Sequence, residues 1–153
     1  MNKRKTKQMD DLIKDGCRIC LTYEPQRTST NKYVGYMTIA NGANMHTGNS
    51  FLDLCDKLIY IYSTNNWFGY KPLEEKKDNT EWDELLKAGY SVVVEKDHID
   101  DDCIVGKLYM DNPSIFNISE QTLVKHSCAS SFAEVMDEMV QYVKDIGYVR
   151  SEG

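Results

Sequence analysis

A seven-residue block occurs twice in this chain, and it constrains the fold more than any other feature. Asp10-Asp11-Leu12-Ile13-Lys14-Asp15-Gly16 matches Asp83-Glu84-Leu85-Leu86-Lys87-Ala88-Gly89, 73 positions later. An apolar residue precedes each copy, Met9 or Trp82. Met9, Leu12 and Ile13, like Trp82, Leu85 and Leu86, follow the i, i+3, i+4 spacing of a helix face. Each short helix should stop at its glycine, Gly16 or Gly89, in a left-handed C-terminal turn.

The match continues downstream. Cys17-Arg18-Ile19-Cys20-Leu21-Thr22 aligns with Tyr90-Ser91-Val92-Val93-Val94-Glu95 at the same offset, and both read as strands. Tyr33-Val34-Gly35-Tyr36-Met37-Thr38-Ile39 then aligns with Ile104-Val105-Gly106-Lys107-Leu108-Tyr109-Met110. The shared Val-Gly marks a bulge or a close approach by another part of the chain. Third strands are expected near Ala43 to His46 and Thr122 to Lys125. Last come two amphipathic helices with apolar residues at identical spacings. They are Phe51, Leu54, Cys55, Leu58, Ile59, Tyr62 and Phe132, Val135, Met136, Met139, Val140, Val143. Ser50 and Ser131 are their N-cap candidates, with Asp53 and Glu134 three residues on, as in a capping box.

The chain therefore reads as α+β: a tandem internal duplication of a small α-β-β-β-α unit. The expected arrangement has antiparallel sheets with helices on one face, the two halves packed as a pseudo-dimer whose open sheet faces bury each other or share one extended sheet. The expected boundaries are a basic flexible tail at 1–8, units at 9–62 and 82–147, a linker at 63–81 and a second tail at 148–153. Each unit is small enough to be marginal alone, so a shared core and one cooperative fold are expected.

The 153 residues carry 24 Asp and Glu against 18 Lys and Arg, a net charge of −6. Four of those basic residues, Lys3, Arg4, Lys5 and Lys7, fall in the first seven positions. The remainder is strongly acidic and should repel nucleic-acid phosphates. No apolar run approaches the roughly 20 residues of a membrane span. The basic start leads into no apolar segment, so export is not expected. Five cysteines, an odd number, fit reduced thiols and a cytoplasmic location.

Candidate chemistry is sparse. Cys17 and Cys20 form a CxxC, but Cys55, Cys103 and Cys128 are scattered singly, where a zinc site needs four gathered ligands. In the repeat, Cys17 and Cys20 stand where Tyr90 and Val93 stand, which suits small apolar strand residues. His46 and His126 both precede a second helix and read as structural or surface groups. Asp97 to Asp102 is an acidic turn without the glycine and distal glutamate of a calcium-binding loop. No cofactor and no metal are implied, and no catalytic motif is present.

The order α-β-β-β-α resembles the double-stranded-RNA-binding domain. That family holds phosphates with lysines at the start of its second helix, where this chain has Ser50-Phe51-Leu52-Asp53 and Ser131-Phe132-Ala133-Glu134. Gly48-Asn49-Ser50-Phe51-Leu52-Asp53-Leu54 is similar to the strand-to-helix turn of HicB-type antitoxins, and Tyr90 to Lys96 is similar to their opening strand.

Strand alternation puts Cys20, Val34, Tyr36, Val93, Val105 and Tyr109 on the sheet face away from the helices. The functional expectation is a non-catalytic, acidic interaction protein that binds a macromolecule. A small inhibitor or accessory protein of the kind mobile elements encode fits, acting on a basic, nucleic-acid-handling protein. The candidate contact residues are Tyr36, Tyr60, Ile61, Trp67, Phe68, Asp100, Asp101, Asp102 and Tyr109. The alternatives are direct nucleic-acid binding through these aromatics and the basic N-terminal arm, a HicB-like antitoxin, and a small enzyme around His46, His126 and Cys128. No membrane partner is expected; a homodimer is compatible with the reading.

Overall fold

Two short helices end where their glycines leave right-handed space. Gly16 has φ +115° and Gly89 φ +102°, so each helix reverses there and hands the chain to a strand. The computed structural model describes residues 3–39, 42–66, 68–72, 81–110 and 122–146. In chain order the elements are α1 (Lys3–Lys14), β1 (Arg18–Tyr23), β2 (Tyr33–Ile39), β3 (Gly42–Gly48), α2 (Phe51–Thr64), α3 (Glu81–Lys87), β4 (Ser91–Lys96), β5 (Ile104–Met110), β6 (Thr122–Ala129) and α4 (Phe132–Asp145). The protein is α+β, with four helices and one antiparallel sheet of six strands.

The strand order is β3-β2-β1-β4-β5-β6. The first strand of each sequence half meets at the middle, where Ile19, Cys20 and Leu21 pair with Val94, Val93 and Val92. Cys20 and Val93 are thus direct partners and also 73 positions apart, the offset of the sequence repeat. Of the two arrangements left open by the sequence, open faces buried on each other or one extended sheet, the chain forms the single extended sheet. Joining β1 to β4 satisfies two strand edges at once that would otherwise lie open.

Helices cover one face of this sheet. Ile19, Leu21, Met37, Val92, Val94, Ile104 and Leu108 point into that layer and are buried. There they meet Met9, Leu12, Ile13, Leu54, Leu58, Leu86, Val135 and Met139 in a single core. α1 lies against β4 and β5, while α3 lies against β1, so each short helix covers strands of the other sequence half. Phe51, Phe132 and Trp82 close the middle of the helical layer. The two phenylalanines stack at 6.2 Å between centroids, and Trp82 meets each edge-on, at 5.5 Å from Phe51 and 5.8 Å from Phe132.

The two strand glycines are places of close approach, as their position suggested. A Cβ on Gly106 would stand 2.2 Å from Val135 Cγ1, and one on Gly35 would meet Leu54 and Leu58 at 3.3 Å. Both serine caps form: Ser50 Oγ accepts from Asp53 N and Ser131 Oγ from Glu134 N. Asp53 accepts in turn from Asn49 N at 3.0 Å, one residue ahead of the cap.

Several boundaries move. α1 begins at Lys3, inside the segment expected to be a basic tail, because Lys5 pairs with Asp56 of α2 and Lys7 with Asp11 one turn on. β3 and β6 run longer than expected, each laddered along its neighbour. Residues 73–80 of the expected linker and 148–153 of the expected second tail lie outside the described residues.

Candidate functional site

Alternation leaves a second sheet face that no described helix covers. The register builds a row straight across it: Met45, Tyr36, Cys20, Val93, Lys107 and His126, one residue from each strand. Tyr109 stands beside this row on β5, opposite Leu123 of β6. Val34, Val93 and Val105 form a buried floor, while Met45 is 46% and Leu123 51% exposed. Strands lie about 4.8 Å apart, so Tyr36 on β2 and Tyr109 on β5 stand about 14 Å apart across the strands. Both tyrosines are on this face, but they do not touch.

The charge on this face is mixed. Arg18 Nε bonds Glu95 Oε2 at 3.2 Å across the central pair of strands, and Arg27 bonds Glu24 at 3.2 Å. The Tyr36 hydroxyl donates to Glu24 Oε2 at 3.2 Å. Burial, followed by the Glu24 carboxylate, pushes the Tyr36 hydroxyl above its ordinary pKa, so the tyrosine stays neutral. The Cys20 thiol is pushed up to about 11 by burial. Cys17 belongs to the core beneath the helices, and Cys20 lies on the opposite face, so the CxxC does not converge on one point. Among the described residues, no group of three or more His, Cys, Asp and Glu side chains could hold a metal ion.

The other candidate residues fall elsewhere. Tyr60 and Phe68 lie at the C-terminal end of α2, on the helical side. Tyr60 packs on Tyr70 at 5.7 Å, and the Tyr70 hydroxyl donates to Asp53 Oδ1 at 2.7 Å, tying this loop back along α2. Asn66 Oδ1 accepts from the backbone of Phe68 and Gly69, both at 3.1 Å, and Phe68 is 99% exposed. Trp67 lies outside the described residues. Ile61, expected to contact a partner, is instead a core residue at 4% exposure. α1 packs beside α2 while the sheet lies beneath it, so α2 buries a wider arc than its main apolar stripe.

Asp100, Asp101 and Asp102 form an exposed turn between β4 and β5. Asp100 Oδ1 accepts from Asp102 N at 3.0 Å and its Oδ2 from the Cys103 thiol at 3.2 Å, while Asp101 pairs with Lys96 at 3.5 Å. These contacts hold Asp100 below the ordinary carboxylate range, the Asp102 backbone bond foremost. The turn spends much of its charge on itself.

The expected grouping of His46 with His126 and Cys128 does not form. His46 is on edge strand β3, buried toward the helices beside Gly35. His126 and Cys128 are on the opposite edge strand, on the open face. Five strand spacings, about 24 Å, separate those edges. Ser127, beside Gly106, is the true counterpart of His46. Ser127 lies five residues before Phe132, as His46 lies five before Phe51, whereas His126 lies six before it, and one residue turns a strand side chain to the other face.

Two carboxylates were missed as structural actors. Asp83 Oδ1 of α3 accepts from Phe51 N at 2.8 Å, and Asp10 Oδ1 of α1 accepts from Phe132 N at 2.6 Å. Each short helix thereby caps the long helix of the other sequence half. The shared Asp in the repeated block was the available signal, but its partner could not be read without the crossed packing. No described helix is long and apolar enough to cross a membrane. No family model, no curated protein and no solved structure matches the chain.

Proposed function

We propose that this is a non-catalytic interaction protein, built as a duplicated intramolecular pseudo-dimer, that docks a macromolecular partner on the open face of its sheet. The open face carries this reading: Met45, Tyr36, Lys107, Tyr109 and Leu123 surround a buried valine floor with no described helix over them. Aromatic and methionine side chains set around an apolar floor are the composition of a protein-binding core. The repeat, the central Cys20–Val93 pair and the exchanged Asp10 and Asp83 caps support duplication.

Charge selects the partner. The chain is at −6, and α4 presents Glu134, Asp137, Glu138 and Asp145 against one lysine, Lys144. A basic, nucleic-acid-handling protein fits an acidic partner of this size, with the charge steering encounter and the sheet face providing apolar contact. Tagged full-length protein should retain such a partner at low salt and release it as salt rises. Tyr36→Ala with Met45→Ala should weaken retention by about tenfold, the scale of a modest hot spot. Binding indifferent to both salt and these changes overturns the reading.

Lys107 and Arg18 on the same face as Tyr36 and Tyr109 favour a second reading, in which bases of a single strand stack on the tyrosines. Direct binding of a labelled single-stranded oligonucleotide, lost in Tyr36→Ala/Tyr109→Ala, would select it over the first.

A further inference from the structure

Five cysteines are present, and two of them are set apart by where the sheet puts them. Cys17 and Cys55 are buried in the core, and Cys20 is held up in pKa by burial. Cys103 is half-exposed and Cys128 exposed. In the β5–β6 ladder Cys128 is the direct partner of Val105. Cys103 precedes Val105 by two positions, so alternation puts it on the same face, diagonal to Cys128. Cys128 stands close enough to act on the Cys103 thiol.

A carboxylate is already aimed at this pair. The Cys103 thiol donates to Asp100 Oδ2 at 3.2 Å, and Asp100 Oδ1 is held by Asp102 N at 3.0 Å. The backbone fixes the same turn, with Cys103 N bonded to Asp100 O and Asp97 N to Cys103 O, both at 3.0 Å. The Asp100 bond, more than any other contact, raises the pKa of Cys103 and keeps it protonated at rest. Exposure makes Cys128 the sulfur that meets an oxidant first.

We propose that Cys128 and Cys103 form a modification site that closes to an intramolecular disulfide on reaction with hydrogen peroxide, with Asp100 accepting the proton from Cys103. In the first step the Cys128 thiolate attacks one peroxide oxygen. The O–O bond breaks, the departing hydroxide takes a proton and leaves as water, and Cys128 becomes a sulfenic acid. In the second step Cys103 sulfur attacks Cys128 sulfur while its proton passes to Asp100. The S–O bond breaks, and the departing hydroxide takes that proton and leaves as water. Two thiols lose two electrons and two protons, and one peroxide becomes two waters. The product staples the 97–103 turn to the end of edge strand β6, at the border of the open sheet face.

The test uses the full reduced chain, freed of reductant and treated with one equivalent of hydrogen peroxide. After alkylation and tryptic digestion, mass spectrometry should find peptide 97–107 joined to peptide 126–144, in protein that remains monomeric on a non-reducing gel. Cys103→Ser should instead accumulate a sulfenic acid on Cys128 that dimedone traps. Asp100→Asn should slow closure by about tenfold or more while leaving the first oxidation of Cys128 unchanged. Circular dichroism of each variant separates these effects from misfolding. Disulfide-linked dimers through Cys128, scrambled linkages, or a Cys128 that oxidises further while Cys103 stays alkylatable would each overturn the proposal. An Asp100→Asn variant that closes at the original rate removes Asp100 from it.

Discussion

At Gly106 an added methyl would stand 2.2 Å from Val135 Cγ1 and 3.1 Å from Met139 Cε. Val135 is β-branched and fully buried, so it has little room to turn away. Gly106→Ala should therefore cost about 1–3 kcal/mol, the range for overpacking a close-packed core, read from urea unfolding. Gly35→Ala should cost less, because its contacts at 3.3 Å are the ends of the flexible Leu54 and Leu58 side chains. The repeated Val-Gly exposed this constraint in the sequence, since a strand tolerates glycine where another element presses in. His46 sets a second residue-scale expectation. Burial first, then Lys57, lowers its pKa below the ordinary 6.5. The unfolded chain then takes up the proton at higher pH than the folded one. Stability from a neutral His46 is present above the unfolded value and is lost as pH falls below about 6.5. The Tm should drop over that window, and His46→Gln should flatten the slope; an unchanged slope would assign it to other groups. The burial of His46 was hidden by matching it to His126 across a one-residue gap, since the spacings to Phe51 and Phe132 are five and six and one residue turns a strand side chain to the other face.

The long helices are each capped twice. Ser50 and Ser131 satisfy the third backbone N–H, and Asp83 and Asp10 satisfy the first. Unsatisfied N–H groups at a helix start are costly when buried, and Phe51 and Phe132 sit deep in the aromatic cluster. Asp83→Ala and Asp10→Ala should each lower stability by about 1 kcal/mol, at the centre of the range for a lost cap. Asp10 carries an additional pH signature. Burial, partly offset by the Phe132 backbone bond, raises its pKa above the usual carboxylate value. The unfolded carboxyl ionises first, so its contribution favours the folded state at low pH and fades as pH rises through the folded pKa. Asp10→Asn keeps an acceptor for Phe132 N and should remove that slope, which urea melts at several pH values would detect. The serine caps were legible as local spacing of three residues. The aspartate caps were not, since Asp10 and Phe132 lie 122 positions apart and no periodicity joins them. The same limit applies to Ile61, whose burial comes from a neighbouring helix and not from its own apolar stripe.

Across the whole molecule, the element order was legible because four features recur in the same sequence, whereas the choice between two stacked sheets and one extended sheet was not. Hydrophobic alternation fixes which face of a strand is buried, but it carries no information on which strand lies at its edge. The β1–β4 pairing, the crossed seating of α1 and α3 and the exchanged caps make the two sequence halves mutually dependent. Separating them would expose two central strand edges, strip the aspartate cap from each long helix and open the Phe51–Trp82–Phe132 cluster. A protease site placed between residues 72 and 81 offers a direct check. After cleavage both fragments should co-purify and unfold in a single urea transition, the same whether followed by Trp82 fluorescence or by circular dichroism. After separation in denaturant, neither fragment should refold alone, because a unit of this size buries too little surface once its partner's strand and cap are gone. Mixing them should restore the transition. A fragment that folds alone with native-like spectral dispersion would mean that β1 and β4 meet as two finished surfaces, and the caps from Asp10 and Asp83 would then be dispensable.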